Sequence, residues 1–254
     1  MPENSKQQNH SGTDPGSPPS LQWTSELTQR FWNYHSRFPD TYFTEQYGPS
    51  IIETVSPYLG SQSRILDYAC GTGALTGLLL SHGLNVAACD ISADSLAHVQ
   101  SLYHHHPNFI GTLGLGELGA GGGFDVAMLV ELVEHVDDDV LTQILDNLWA
   151  ALKPGGKIVI TTPNEENLNV DTVYCPQCNH TFHRWQHVRS WSAQSLGTFL
   201  ADHRFQPETI LKTDFSLSGR DGRIRYAAKK MMSRLLNRKA PHLVLIARRL
   251  DGWH

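Results

Sequence analysis

The chain has 254 residues, enough to bury one sizeable core beside a small lid or insertion. Its 40% hydrophobic and 18% charged residues are those of a globular protein, and a formal net charge of -5 excludes a global electrostatic drive towards nucleic acid or anionic membrane. No apolar run approaches the roughly 18–20 residues that span a bilayer.

The first segment, 1–20, is rich in Ser, Pro, Gly and Asn and lacks the apolar stretch of a secretory signal. It is expected to be a disordered tail. Aromatic residues at Phe31, Trp32 and Tyr34, then Ile51, Ile52, Val55 and Leu59, predict a helical cap over 21–60. A first strand is predicted over 64–68, a glycine-containing turn over 69–73 and a helix from Ala74 to about His82. A second short strand over 85–90 ends in an acid, and Ser92 is placed to cap a helix running to about Tyr103.

Residues 111–123 are so rich in glycine that they read as a flexible loop. A strand over 124–130, an amphipathic helix over 140–152, a turn at Lys153-Pro154-Gly155-Gly156 and a strand over 157–162 follow. One more helix is predicted over 191–202, and two last strands over 207–215 and 242–248. Strands alternating with helices at these lengths predict βαβ units and a parallel sheet.

The run Ile65-Leu66-Asp67-Tyr68-Ala69-Cys70-Gly71-Thr72-Gly73 joins a buried strand to a helix. Glycine there lets the backbone turn sharply and approach a ligand, and the helix N-terminal amides face what is bound. Asp90, at the end of the next strand, can accept two hydrogen bonds from a ribose diol. A plain tight turn and a dinucleotide site share this geometry, so the residues alone leave those alternatives open.

With ILDYACGTG, NVAACD, FDVAML and LKPGGKIVI in this order, the chain resembles the class I S-adenosylmethionine-dependent methyltransferases over about 64–205. The resemblance implies a doubly wound α/β fold with a mostly parallel seven-stranded sheet and S-adenosylmethionine as cofactor. It also implies that Asp67, Ala69, Gly71 and Gly73 lie beside the methionine moiety, that Asp90 holds the ribose, and that Val130 lines the sulfonium end. Ala69 stands where the family usually has its first glycine, so a slightly altered turn is expected, without loss of binding. The glycine-rich loop obscures the residues that would contact adenine.

After the fourth strand come Glu131, Glu134 and His135, which share one face if the segment begins a helical turn. Two carboxylates and an imidazole can hold a divalent cation or remove a hydroxyl proton, or they can simply cap the next helix. The segment resembles two groups of O-methyltransferases. One is the ubiquinone-biosynthesis hydroxyl methylases. The other is the small-RNA 2′-O-methyltransferases, whose E-x-x-E-H and a later histidine ligate metal; here that histidine would be His187.

Cys175, Cys178, His183 and His187 have a spacing suited to zinc. A redox-active thiol pair, with the histidines lining a substrate cleft, is the alternative. His187 is claimed by both sites. One reconciliation leaves Cys175, Cys178 and His183 to a structural ion in an insertion over 171–190, and His187 to catalysis; a merged site is another. The HVRSWSAQSL run resembles the segment that shapes the acceptor pocket in many small-molecule methyltransferases, which favours catalysis.

A basic amphipathic helix is expected over 219–240, either solvated, resting on an anionic membrane surface or gripping a phosphate-bearing substrate. The expectation is therefore a cytoplasmic S-adenosylmethionine-dependent O-methyltransferase acting on a small molecule, sugar or quinone precursor. The alternatives are a metal-dependent RNA 2′-O-methyltransferase and a non-catalytic zinc-containing binding protein. The sequence leaves the oligomeric state open.

Overall fold

The computed structural model describes residues 17–118, 123–217 and 239–251. Its centre is a seven-stranded sheet in the order β3-β2-β1-β4-β5-β9-β8. The strands are β1 (Arg64–Tyr68), β2 (Asn85–Cys89), β3 (Phe109–Leu113), β4 (Phe124–Val130), β5 (Leu152–Pro163), β8 (Phe205–Thr213) and β9 (His242–Arg249). The first five in spatial order are parallel, while β9 runs antiparallel to both β5 and β8.

Period-two alternation distributes the strand residues over two cores. Ile65, Val86, Val126, Met128, Val159 and Ile246 enter one core. Leu66, Ala87, Ala127, Leu129, Ile158 and Leu245 enter the other. The first is covered by α2 (Phe43–Val55), through Ile51, Ile52 and Val55, and by α3 (Ala74–Ser81), through Leu75 and Leu79. On the opposite face α5 (Asp138–Ala151) brings Leu141, Leu145 and Leu148, and α6 (Ala193–Asp202) brings Leu196 and Leu200. Each such fully buried side chain is worth about 1.5–3 kcal/mol of transfer free energy.

Helix starts follow local chemistry. Asp137 accepts the Val140 amide at 2.9 Å and is followed by Asp138 and Asp139 in the first turn of α5, where the helix dipole favours acids. Ser92 caps α4 (Ala93–Tyr103) by accepting from the Ser95 amide.

Three expectations need correction. The glycine-rich run is not loop throughout: Phe109–Leu113 pairs with β2, and backbone hydrogen bonding there outweighs the poor strand propensity of Gly111. The turn at Lys153–Gly156 lies inside β5, as an offset in its pairing with β4 between Phe124 and Val126. Residues 131–137 do not begin a helix. Glu131 takes φ 49°, and a turn closed from the His135 amide to the Leu132 carbonyl precedes α5.

The insertion after β5 is a hairpin of β6 (Thr172–Cys175) and β7 (His180–His183). Ser20 and Thr181 form a bridge, and Trp23 packs edge-on against Phe182, so the segment before α1 (Ser25–His35) is fastened to this hairpin. Nearly all of the basic run 219–240 lies outside the described residues. No described helix is long and apolar enough to cross a membrane.

Candidate active site

The carboxyl ends of β1, β2, β4 and β5 open into one cleft, at the point where the strand order reverses between β1 and β4. The turn after β1 takes left-handed backbone at Ala69 (φ 63°), Gly71 (φ 51°) and Gly73 (φ 83°). A Cβ at Gly73 would stand 2.8 Å from Val99 Cγ2, so glycine is required both by φ and by the approach of α4. Ala69 keeps the turn in a conformation that costs an L-residue roughly 1–2 kcal/mol.

Asp90 clamps this turn. Its Oδ2 accepts the Gly71 amide at 2.9 Å and its Oδ1 accepts the Ser92 amide at 2.8 Å. Each carboxylate oxygen retains a further lone-pair direction, which a ribose hydroxyl could use. Burial raises the Asp90 pKa, and those amides oppose the shift. Asp67 is 2% exposed and accepts the Thr76 hydroxyl at 2.6 Å. Burial pushes its pKa up to about 7. Val130, at the end of β4, lines the same cleft.

Beyond Val130 lies a cluster of acids and histidines. Thr161 Oγ1 donates to Glu131 Oε1 at 2.8 Å, and Thr162 Oγ1 donates to Glu134 Oε2 at 2.9 Å, so adjacent residues of β5 position both acids. Burial drives the Glu131 pKa up to about 8 and the Glu134 pKa well above its usual range. Burial lowers the His135 pKa to about 3, with His187 adding to the effect. Ligand atoms of Glu134, His135 and His187 lie within 4.8 Å of one another. Glu134 Oε1 and His135 Nδ1 are buried without hydrogen-bond partners.

Among the described residues, Cys175 and Cys178 do not share a ligand set with His183 or His187. In the hairpin register Cys175 faces His180, whereas His183 faces Thr172 at the opposite end. At about 3.4 Å per residue that separation is too long for one ion, which corrects the expected zinc set. His183 and His187 instead stack at 4.3 Å and share Glu166.

Residues 41–209 match the family model described as a methyltransferase domain. The chain belongs to the methyltransferase domain family. This methyltransferase-family chain is 29% identical over 157 residues to the ubiquinone biosynthesis O-methyltransferase of Ralstonia nicotianae, covering 60% of the chain and 63% of that relative. It is 27% identical over 220 residues to the protein of the same name in Coxiella burnetii, covering 80% and 91%.

Among solved structures, the 1,6-didemethyltoxoflavin-N1-methyltransferase of Burkholderia thailandensis, solved with S-adenosylhomocysteine, matches at TM-score 0.64 and 17% identity over 92% of this chain and 94% of that one. The [4+2]-cyclase SpnF matches at TM-score 0.61 and 14% identity over 93% and 100%. These two likenesses establish the fold alone, and the cyclase illustrates why the fold does not by itself fix a reaction.

No sequence motif marks Glu166, Gln186 or the site role of Trp32. Gln186, buried with φ 64°, accepts from Trp32 Nε1 and donates to the His135 carbonyl. Trp32 meets the His135 ring edge-on at 5.0 Å. The aromatic crowding in α1 was the available signal for Trp32; nothing local marks Glu166 or Gln186.

Proposed function

We propose that this protein transfers a methyl group from S-adenosylmethionine to a hydroxyl oxygen of a small molecule, with a quinone precursor as the first acceptor class to test. The observation that carries the oxygen assignment is the convergence of Glu134, His135 and His187 beside Val130. The names of the ubiquinone-pathway relatives support the acceptor class. Transfer within the cytoplasm remains part of this reading.

Asp67, Ala69, Gly71, Gly73 and Asp90 would hold the cofactor: the left-handed turn brings amides to it, and Asp90 accepts from the ribose. When bound, S-adenosylmethionine supplies an electrophilic methyl carbon on a sulfonium, open to in-line displacement by oxygen. The chain's task is to align the hydroxyl and draw off its proton.

The residues also fit a divalent cation. Glu134 Oε1 and His135 Nδ1 are buried and unpartnered, and carboxylate with imidazole is a donor set for zinc, manganese or magnesium. Such an ion, when bound, lowers the pKa of a coordinated hydroxyl. Glu134, His135 and His187 would hold it, while Thr161 and Thr162 fix the acids from behind.

The test is a labelled-methyl assay with a hydroxylated quinone precursor, a sugar and an RNA as acceptors. It is paired with thermal unfolding in saturating S-adenosylmethionine. Methylation of the quinone precursor that His187→Ala abolishes, with cofactor stabilisation intact, is the expected result. Absence of cofactor stabilisation would overturn the donor assignment, and methylation of RNA alone would overturn the acceptor class.

A further inference from the structure

Glu166 sits in the loop after β5, outside every motif that marks the cofactor turn or the acid-histidine cluster. Its Oε2 lies 2.6 Å from His187 Nδ1, and its Oε1 lies 3.6 Å from His183 Nε2. His183 is 6% exposed, and the two imidazoles stack with their planes 21° apart. One carboxylate therefore faces both rings.

The protons can be assigned from the remaining partners. His183 Nδ1 receives backbone N–H groups from Trp185 at 3.4 Å and His187 at 3.3 Å, so Nδ1 acts as an acceptor. In neutral imidazole the single ring proton is then on Nε2, the nitrogen that faces Glu166. For His187 the carboxylate contact is at Nδ1. A carboxylate accepts, so Nδ1 carries the proton, and in the neutral ring Nε2 then keeps its lone pair.

We propose that Glu166 is a positioning residue that holds His187 in its Nδ1–H tautomer, while His183 stacks on the same ring with its Nε2 3.6 Å from the other Glu166 oxygen, outside hydrogen-bond distance. With Nδ1 held by Glu166, Nε2 is the nitrogen left to act as an acceptor or ligand beside Glu134 and His135. A histidine with the opposite tautomer would present an N–H there, which neither takes a hydroxyl proton nor binds a cation. The proposal depends on the O-methyl-transfer reading only for its consequence in turnover; the tautomer itself is a property of the protein alone.

The test uses the full chain with nitrogen-15-labelled histidine, in wild type, Glu166→Ala and Glu166→Gln. Long-range nitrogen–proton NMR reports the His187 tautomer, and manganese titration reports the affinity of the cluster. Wild type should show His187 protonated on Nδ1. Glu166→Ala should shift it towards Nε2–H and weaken manganese binding roughly 10- to 100-fold. Glu166→Gln keeps an acceptor oxygen but also brings an N–H donor, so it should hold the wild-type tautomer less fully and recover part of that affinity.

An Nε2–H tautomer in wild type, or a Glu166→Ala protein with an unchanged His187 spectrum, overturns the proposal. If wild type binds no manganese, the cation part of the functional reading fails, and the NMR comparison still decides the role of Glu166. A Glu166→Ala protein that does not fold leaves the wild-type spectrum to decide it: Nδ1–H supports the proposal, and Nε2–H overturns it.

Discussion

Trp32 Nε1 donates to Gln186 Oε1 at 2.9 Å across 154 residues of sequence. The same Gln186 amide donates to the His135 carbonyl at 3.0 Å. One side chain thus ties the N-terminal helix to the acid-histidine segment, one residue before His187. Trp32→Phe keeps the ring against His135 but leaves the amide oxygen of a 1%-exposed glutamine without its donor. The expected loss is about 1–3 kcal/mol of stability and a raised acceptor KM, with S-adenosylmethionine affinity unchanged. Thermal unfolding, cofactor titration and steady-state kinetics check this; weakened cofactor binding with a normal acceptor KM would contradict it.

The cofactor turn should respond oppositely at its two ends. Gly73→Ala places a methyl group against Val99 in left-handed backbone, so it should lose roughly 1–2 kcal/mol or more and weaken cofactor binding. Ala69→Gly removes a left-handed penalty at φ 63° while adding freedom to the unfolded chain, so it should be neutral or mildly stabilising. Denaturant unfolding of both variants provides the comparison.

Asp67 supplies a pH signature in the cofactor-free protein. Its folded pKa of about 7 lies above the ordinary 3.8, so the folded state binds this proton more tightly than the unfolded chain. Its contribution to stability is complete below 3.8 and is lost as pH rises through about 7. Asp67→Asn keeps an acceptor for Thr76 and cannot ionise. Relative to wild type it should gain up to about 1.4 kcal/mol per pH unit between those two values. A difference in unfolding free energy that stays flat over this range would show that Asp67 does not titrate there.

The thiol pair lies at the far end of its hairpin from His183. Cys175→Ser and Cys178→Ser should therefore leave manganese affinity at the acid-histidine cluster unchanged. Methyl-transfer kinetics should also stay within about twofold of wild type, as expected for surface substitutions away from the site. A large loss of either property would reinstate a thiolate-containing metal site.

Much of the architecture was legible because it depends on local chemistry. The buried strand run at Ile65–Tyr68, the cap at Ser92 and the left-handed demand at Gly73 act within a few residues, and each left a mark in the sequence. Gly111 misled because strand formation there is decided by pairing with Ala87, a partner distant in the chain. The acid-histidine segment was recognisable by residue type, but its geometry depends on Thr161 and Thr162 from the neighbouring strand.

The sequence by itself determined the family's cofactor turn, the strand-end acid and the presence of two carboxylates beside histidines. Tertiary structure alone decided how the later histidines divide. It separates His183 and His187 from the cysteines, joins them through Glu166, and sets Gln186 between Trp32 and His135. The physical reason is range: backbone preference and capping act over a few residues, whereas a ligand set forms from side chains that only the completed sheet and hairpin bring within 4.8 Å of one another.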